Sequence, residues 1–143
     1  MRYSAFVLVA LASFWAGPAL SAEEAIPGVY RLTDGKVTIK VTNCGQNICA
    51  NIVGLKEPIS KIDGKPKVDR ENPDTSKRKR PLMGLSVLIG MKPTGDKKWK
   101  GSLYNPDDGK TYSASVSLNG DTFSVKACIV GILCKTNKFV RLN

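Results

Sequence analysis

The sequence predicts an all-β fold, an eight-stranded antiparallel up-and-down barrel. Apolar and polar residues alternate with period two in several runs, which is the pattern of half-buried strands. Turn signals such as Asp34-Gly35 and Asn119-Gly120 separate the runs at short intervals, as expected for consecutive hairpins. Sequential hairpins favour a barrel over a sandwich, because a sandwich needs longer crossovers between its sheets.

The alternating runs define the strands in order along the chain. In the run 36–43, apolar residues at every second position alternate with lysines and threonines, which indicates a strand with a basic outer face. The runs 111–118 and 121–128 alternate in the same way, with mostly serines and threonines on the polar side. The eight predicted strands lie near residues 28–32, 36–43, 48–56, 84–91, 98–104, 111–118, 121–128 and 135–142. The residues predicted to face the interior are Val37, Ile39, Val41, Ile52, Trp99, Gly101, Leu103, Tyr112, Ala114, Val116, Phe123 and Val125. Their mixture of sizes is compatible with a modest cavity and equally with a solid core.

The N-terminal 22 residues have the features of a secretory signal peptide. Arg2 supplies a positive charge, an apolar run follows from Ala5 to Trp15, and Gly17-Pro18 precedes a group of small residues. The apolar run is shorter than the roughly 20 residues that a membrane-spanning helix needs. We therefore expect no transmembrane anchor in the mature protein.

The mature chain is predicted to be one exported domain. Cleavage after Ser21 and cleavage after Ala22 fit equally well. Removal of residues 1–22 leaves 121 of the 143 residues, 23–143, as a single β-barrel domain, and it lowers the net charge from +10 to +9. The expected location is periplasmic or secreted.

The composition excludes several classes of active site. The chain has no His, so Ser-His-Asp catalysis, imidazole metal ligands and a histidine pH switch are absent. Ser76 and Lys79 have the spacing of a serine–lysine pair, but their polar loop offers nothing to desolvate the lysine. The acidic turn at Asp107-Asp108 is better explained as a hairpin than as a cation site. We therefore expect no enzyme activity, no cofactor and no metal.

All four cysteines lie in the mature part of the chain. An exported chain meets an oxidising compartment, in which cysteines form disulfides. Four cysteines allow three connectivities, and the sequence alone does not choose among them. The spacing favours two local bridges, Cys44 with Cys49 and Cys128 with Cys134. A zinc site built from all four is disfavoured, because no Cys-x-x-Cys spacing is present.

One connection, residues 56–82, breaks the pattern of short turns. It carries nine Lys/Arg against five Asp/Glu, and connections of this length are usually lids, binding loops or disordered segments. Asn72-Pro73-Asp74 has the features of a helix start: an N-cap residue, a proline at the first helical position and an acid near the positive end of the dipole. We expect a short helical turn from Pro73 to Lys79, ended by Pro81.

Two separated motifs resemble a known bacterial family. The first runs from residue 69 to 74 and continues at 79–85, and the second covers residues 104–114. Together with Gly28-Val29-Tyr30 near the start, they are similar to domain-of-unknown-function family 2147 over roughly residues 26–141. The resemblance implies a small exported protein with a lipocalin-like (calycin) barrel, and the family has no settled biochemical role. The motif residues expected to shape the long connection are Asp69, Asn72, Pro73, Asp74, Pro81 and Gly84.

Candidate ligand contacts come from aromatic residues of the barrel and arginines of the long connection. Trp99 is more readily explained by core packing than by ligand stacking. The basic run 77–80 is either an anion patch or a solvated face that nearby carboxylates partly neutralise, and the second explanation is favoured. In this second explanation, Arg78 and Arg80 hold the connection on the barrel rim by pairing with carboxylates. The candidate ligand-binding residues are Trp99, Tyr104, Tyr112, Arg78 and Arg80.

The favoured function is that of a non-enzymatic binding protein of the cell envelope. A barrel of eight strands is wide enough to hold one small ligand. The expected ligand is apolar or amphipathic, with or without an anionic head group, and an anionic envelope surface is a second expected partner. The alternative is a protein–protein interaction module, such as an envelope enzyme inhibitor or a secreted host-interaction factor. Nucleic acid is not an expected partner, because an exported chain with 7% aromatic residues offers few exposed rings.

Overall fold

The structure is a computed structural model that describes residue 17 and residues 26–129 and 132–142. The predicted signal peptide, residues 1–22, lies outside the described residues except for Gly17. Eight strands and one short helix make up the described fold. The strands are β1 (Gly28–Leu32), β2 (Val37–Cys44), β3 (Asn47–Leu55), β4 (Ser86–Gly95), β5 (Lys98–Asn105), β6 (Lys110–Asn119), β7 (Thr122–Ile129) and β8 (Leu133–Arg141).

The strands form one closed antiparallel barrel in sequence order, which confirms the predicted fold class. The barrel closes where β1 pairs with β8, with Arg31 opposite Val140. Closure gives both strands a partner on each side, so neither presents an edge for pairing with another chain. The observed strand boundaries agree with the predicted ones within two residues, except at the end of β4.

Strand β4 extends four residues beyond its predicted end. The turn signal at residues 94–96 marks the place where the chain reverses, but the ladder between β4 and β5 continues to the pair Gly95 and Lys98. Pro93 is accommodated because the register shifts between Pro93 and Gly95, and bulges tolerate a residue that lacks an N–H. Lys97, within the turn itself, has a φ of 52°.

The two ends of the barrel differ in their connections. At one end, which we call the closed end because large side chains fill it, the chain reverses in three tight turns. These turns join β2 to β3, β4 to β5, and β6 to β7. The open end carries the other three turns and the long connection between β3 and β4. Gly28 at the start of β1 and Arg141 at the end of β8 both lie at the closed end.

Large side chains fill the closed half of the barrel. The rings of Tyr30 and Phe123 lie 5.0 Å apart, and Met91 and Trp99 are buried with them. The predicted interior positions of β2, β3, β6 and β7 are buried or half-buried, as the period-two pattern requires. The buried core residues are Tyr30, Ile39, Val41, Ile48, Ala50, Ile52, Leu85, Val87, Leu88, Met91, Trp99, Tyr104, Ala114, Val116, Leu118, Phe123, Val125 and Phe139.

Gly101 occupies an interior position of β5 that admits no side chain. A Cβ atom there would lie 2.7 Å from the sulfur of Met91 and 2.8 Å from the carbonyl oxygen of Gly90. The bulged part of β4 therefore approaches β5 more closely than any other residue type would allow.

The four cysteines form two local disulfides, Cys44 with Cys49 and Cys128 with Cys134, as the spacing favoured. The first closes the β2–β3 turn at the closed end. The second joins directly opposed residues of β7 and β8 near the open end. Each bridge encloses a short loop, so each stabilises one hairpin rather than linking distant parts of the barrel.

The helical turn predicted for residues 73–79 is wrong in its length and in its cap. The helix is a single 3₁₀ turn, Thr75–Lys77, and its N-cap is Asp74 rather than Asn72. Asp74 accepts hydrogen bonds from the N–H and hydroxyl of Ser76, at 3.0 Å and 2.6 Å. Asn72 is drawn into a buried contact instead, and its side-chain oxygen accepts the N–H of Asp74 at 2.9 Å. Because Asn72 is engaged in this buried contact, the helix starts two residues later than predicted.

Candidate functional site

The open half of the barrel contains a cavity of about 800 Å³. This volume is within the range of small-molecule binding sites. The cavity exists because the inward positions here carry smaller side chains than the closed half, among them Val37, Val87 and Ala127. Its apolar lining consists of Leu32, Val37, Ile39, Ile52, Leu55, Leu82, Val87, Leu103, Ala127, Ile129, Leu133 and Phe139. The open half of the interior is therefore not solid, and its lining combines these apolar side chains with charged and polar ones.

Charged side chains surround the mouth of the cavity. The lining includes four acids, and three of them have side-chain partners. Asp34 pairs with Lys36 at 3.2 Å, and Glu57 pairs with Lys61 at 3.5 Å. The Asp108 carboxylate accepts a hydrogen bond from the Tyr112 hydroxyl. Lys36 is likewise paired. Three further lysines of the lining have no carboxylate within ion-pair distance among the described residues. These mouth lysines are Lys56, Lys67 and Lys135.

The long connection forms one wall of the mouth. It folds back on itself through two isolated bridges, Ile59 with Pro66 and Val68 with Pro81. Its end is seated on β3, because the Gly84 N–H donates to the Ile52 carbonyl at 2.7 Å. Gly84 has a φ of +87°, a conformation that other residues rarely adopt. The connection is therefore an ordered part of the site.

A buried carboxylate fastens this connection to the barrel. Asp69 is fully buried, and it accepts hydrogen bonds from the Tyr104 hydroxyl of β5 at 2.6 Å and from the Asn72 amide at 2.8 Å. Arg80 supplies the charge partner, with its Nη2 at 2.7 Å from the Asp69 carboxylate. The Asn72 amide also donates to the Tyr104 oxygen at 3.0 Å. We call these four residues the loop latch.

The latch holds Asp69 in its ionised form. Burial alone would raise the pKa of the Asp69 carboxyl, because desolvation disfavours the charge. The hydrogen bonds from Tyr104, Asn72 and Arg80, together with the charge of Arg80, outweigh burial and hold the pKa below its ordinary value. Burial and the Asp69 charge raise the pKa of Tyr104, so its hydroxyl keeps its proton and donates it.

A second contact joins the connection to the β5–β6 turn. Gly109 has a φ of +69°, and a Cβ atom at this position would lie 1.8 Å from the carbonyl oxygen of Glu71. The two backbones therefore touch at a point where only glycine fits. Together with the latch, this contact fixes the height of the connection above the cavity.

The structure separates the sequence-predicted ligand contacts into three groups. Tyr104 and Tyr112 line the cavity. Arg80 belongs to the latch, and the Arg78 Nε donates to the Asn72 carbonyl at 2.7 Å, so both arginines hold the connection. Trp99 is buried in the closed half and is not part of the cavity lining.

Several lining residues were not among the predicted contacts. The mouth lysines Lys67 and Lys135 and the amide of Asn137 stand out, because all three reach the cavity. Lys135 and Asn137 occupy inward register positions of β8, opposite Ala127 and Val125. Polar residues at inward positions of a strand, such as these two, are the sequence signal that would have identified this part of the cavity lining.

The site combines an apolar cavity with charged side chains at its mouth. No group of three or more metal-ligating side chains occurs among the described residues. Within the same part of the chain, no helix is long and apolar enough to cross a membrane. Several polar groups of the cavity are engaged in hydrogen bonds or ion pairs within the protein, whereas the mouth lysines have no ion-pair partner among the described residues.

Comparisons with known proteins agree with the fold. A family model described as "Uncharacterized protein conserved in bacteria (DUF2147)" matches residues 28–141. Among solved structures, the chain is similar to protein HP1028 from Helicobacter pylori, described as belonging to the lipocalin family. The two are 24% identical with a TM-score of 0.70, over 83% of this chain and 84% of that one. Among curated proteins, none matches the chain. The likeness identifies the barrel as lipocalin-like.

Proposed function

The chain belongs to the bacterial DUF2147 family, and we propose that it is an exported, non-enzymatic protein whose barrel binds a small apolar or amphipathic ligand. The observation that carries this proposal is the cavity of about 800 Å³ with an apolar floor. An apolar ligand of this size would be removed from water over most of its surface, which is the main source of affinity in such sites.

The mouth lysines favour a ligand with an anionic head group. Lys56, Lys67 and Lys135 line the opening, and none of them has a carboxylate within ion-pair distance among the described residues, although the charge of Lys56 helps to lower the pKa of Asp34. A carboxylate or phosphate at the mouth would pair with them while its apolar part occupies the floor. Charge-assisted hydrogen bonds of this kind are stronger than neutral ones.

Export rests on the predicted signal peptide and on the cysteines. Disulfides form and persist in oxidising compartments, and the chain has two. A periplasmic or secreted location follows as part of the proposal. Native mass spectrometry of the protein purified from its own host should detect a bound small molecule.

A cavity-filling variant tests the site directly. Ala127→Trp would place a ring in the cavity, and we expect it to weaken binding of a dansyl-labelled fatty acid by about tenfold or more. Val53→Trp, at an exposed position on the outside of β3, is the matched control and should bind like the wild type. Unchanged binding by a folded Ala127→Trp protein would contradict the proposal.

The head-group component has its own test. Replacing Lys67 and Lys135 together by Gln should weaken binding of a fatty acid but leave binding of the corresponding fatty alcohol unchanged. Lys65→Gln with Lys79→Gln, at exposed positions of the connection, removes the same charge away from the cavity lining. Equal losses for acid and alcohol would remove the anionic head group from the proposal and leave the apolar cavity.

A protein–protein interaction module is the second candidate, and the apolar tip of the β7–β8 hairpin favours it. Ile132 is 93% exposed and Leu133 is 70% exposed, which is unusual for large apolar side chains. Substituting Ile132 by Ser should abolish capture of a stoichiometric periplasmic partner. A pull-down that recovers no such partner with the wild-type protein would count against this candidate.

A further inference from the structure

The strands of the barrel carry positive charge only. None of the ten Asp and Glu residues that the structure describes lies in a strand, so each of these carboxylates is in a turn or in the long connection. The charged strand residues are Arg31, Lys40, Lys92, Lys98, Lys100, Lys110, Lys126, Lys135, Lys138 and Arg141. The wall of the barrel is thus cationic independently of the connection that dominates the charge of the sequence.

This charge is concentrated on the outer side of β4 to β8. One row of outward residues crosses the sheet from β4 to β8, with each residue opposite the next. In this order the row is Lys92, Lys100, Ser115, Lys126 and Thr136. The next row runs from Lys98 through Ser117 and Ser124 to Lys138. We call the nine residues of these two rows the basic face. All five of its lysines are exposed.

The basic face contains a depression of about 360 Å³. It is shallow because serines and threonines occupy the outward positions between the lysines, and these short side chains rise little above the sheet. Its polar lining consists of Thr94, Lys98, Lys100, Ser115, Ser117, Ser124, Lys126 and Thr136. No carboxylate belongs to the lining, so the lysines of the depression face no neutralising group.

The chemistry of the lining indicates the class of occupant. Lysines attract anions, and an arrangement of several lysines selects a ligand that carries more than one negative group. Hydroxyl groups both donate and accept hydrogen bonds, so they suit the hydroxyls of a sugar. Strand geometry places Lys98 and Lys100 about 7 Å apart at their Cα atoms and places Lys100 and Lys126 about 10 Å apart. These separations suit an extended chain with repeated charges.

A membrane surface and a single-stranded nucleic acid are less suited to this face. A protein surface that enters a bilayer interface brings exposed apolar side chains to it, whereas the apolar members of this lining, Trp99 and Val116, are buried at 6% and 2% exposure. Stacking of bases needs exposed rings, and the one ring of the lining is that of Trp99. We propose that the basic face binds an anionic oligosaccharide, one that carries carboxylate or phosphate groups.

This site is independent of the cavity. The lining of the depression and the lining of the cavity share no residue, and they lie on opposite sides of the barrel wall. Binding at the basic face therefore does not require a ligand in the barrel. A protein of this kind would attach to an anionic glycan by its outer wall and keep its mouth free.

Binding of an oligogalacturonate, measured by titration calorimetry, tests the proposal with a carboxylate-bearing probe. Maltohexaose is the neutral control, and vesicles of phosphatidylglycerol test the membrane alternative. We expect the oligogalacturonate to bind and its affinity to fall with added salt, as polyanion binding does. Equal binding of maltohexaose, or binding of the vesicles with none of the oligogalacturonate, would overturn the proposal.

Matched variants separate the basic face from the general charge of the protein. Lys100→Gln with Lys126→Gln removes two lysines of the depression, and we expect about a tenfold loss of affinity. Lys40→Gln with Lys79→Gln removes the same charge from exposed positions on β2 and on the long connection, and affinity should change little. Equal losses in the two double variants would assign the binding to net charge and overturn the site. Ser115→Ala leaves the charge unchanged and should also weaken binding, which a purely electrostatic attraction would not predict.

Discussion

The Tyr104 hydroxyl donates a 2.6 Å hydrogen bond to the buried carboxylate of Asp69, 35 residues away in sequence. This bond links β5 of the barrel to the long connection that walls the cavity mouth. The hydrogen bond is strong because both groups are buried and the acceptor is charged. The stability of the connection and the shape of the mouth are therefore coupled through one pair of side chains.

Removing this hydroxyl should destabilise the protein. In Tyr104→Phe, the Asp69 carboxylate loses a buried donor, and we expect the free energy of unfolding in urea to fall by about 1–3 kcal/mol. Tyr112→Phe is the matched control, because the hydroxyl of Tyr112 also meets a carboxylate, but at the exposed mouth. Its unfolding midpoint should stay close to that of the wild type. A similar loss in both variants would contradict the special role of the latch.

The latch also predicts an acid-sensitive stability. The pKa of Asp69 is lowered in the folded protein, so its ionised form contributes stability that is present above the unfolded pKa, about 3.9. This contribution is lost as the pH falls through the folded pKa. The free energy of unfolding should therefore decrease below about pH 4, and the decrease should be smaller in Asp69→Asn. Equal slopes for the two proteins between about pH 5 and 2 would contradict this assignment.

The contact between Gly109 and Glu71 predicts an unusually costly glycine substitution. Gly109→Ala combines a left-handed backbone with a backbone collision and should separate the connection from the β5–β6 turn. Gly120→Ala, which has a φ of +57° and no atom within 4 Å of the new Cβ, should cost only about 1–2 kcal/mol. Thermal unfolding compares the two variants. Trypsin should also cleave the connection faster in Gly109→Ala, and unchanged cleavage would contradict the contact.

The two disulfides should contribute similarly to stability. Their sequence separations are 5 and 6, and loops of this length correspond to about 2 kcal/mol each in the chain-entropy description. Replacing either pair by serines should lower the free energy of unfolding by this amount and preserve the barrel. Loss of folding in the Cys44→Ser, Cys49→Ser variant alone would show that this hairpin is needed for the barrel to form.

The barrel could be predicted because the sequence pattern that indicates each strand is local. Period two and turn residues identify strands such as β6 from a few neighbouring positions, without any knowledge of the partner strand. The helix start at Asp74 was displaced because Asn72 has a buried partner in β5, which no local pattern reveals. The cavity depends on the summed volumes of side chains from all eight strands, so Val37, Val87 and Ala127 identify it only once the strands are in register.

Both ends of the barrel chain leave from the same side of the molecule. Gly28 and Arg141 lie at the closed end, and the Leu142 N–H donates to the Val29 carbonyl at 2.8 Å, so the first and last strands emerge side by side. A tether attached beyond either strand would hold the protein with its mouth directed away from the support. A fusion partner, an affinity tag or a sensor surface joined there leaves the route into the barrel unobstructed.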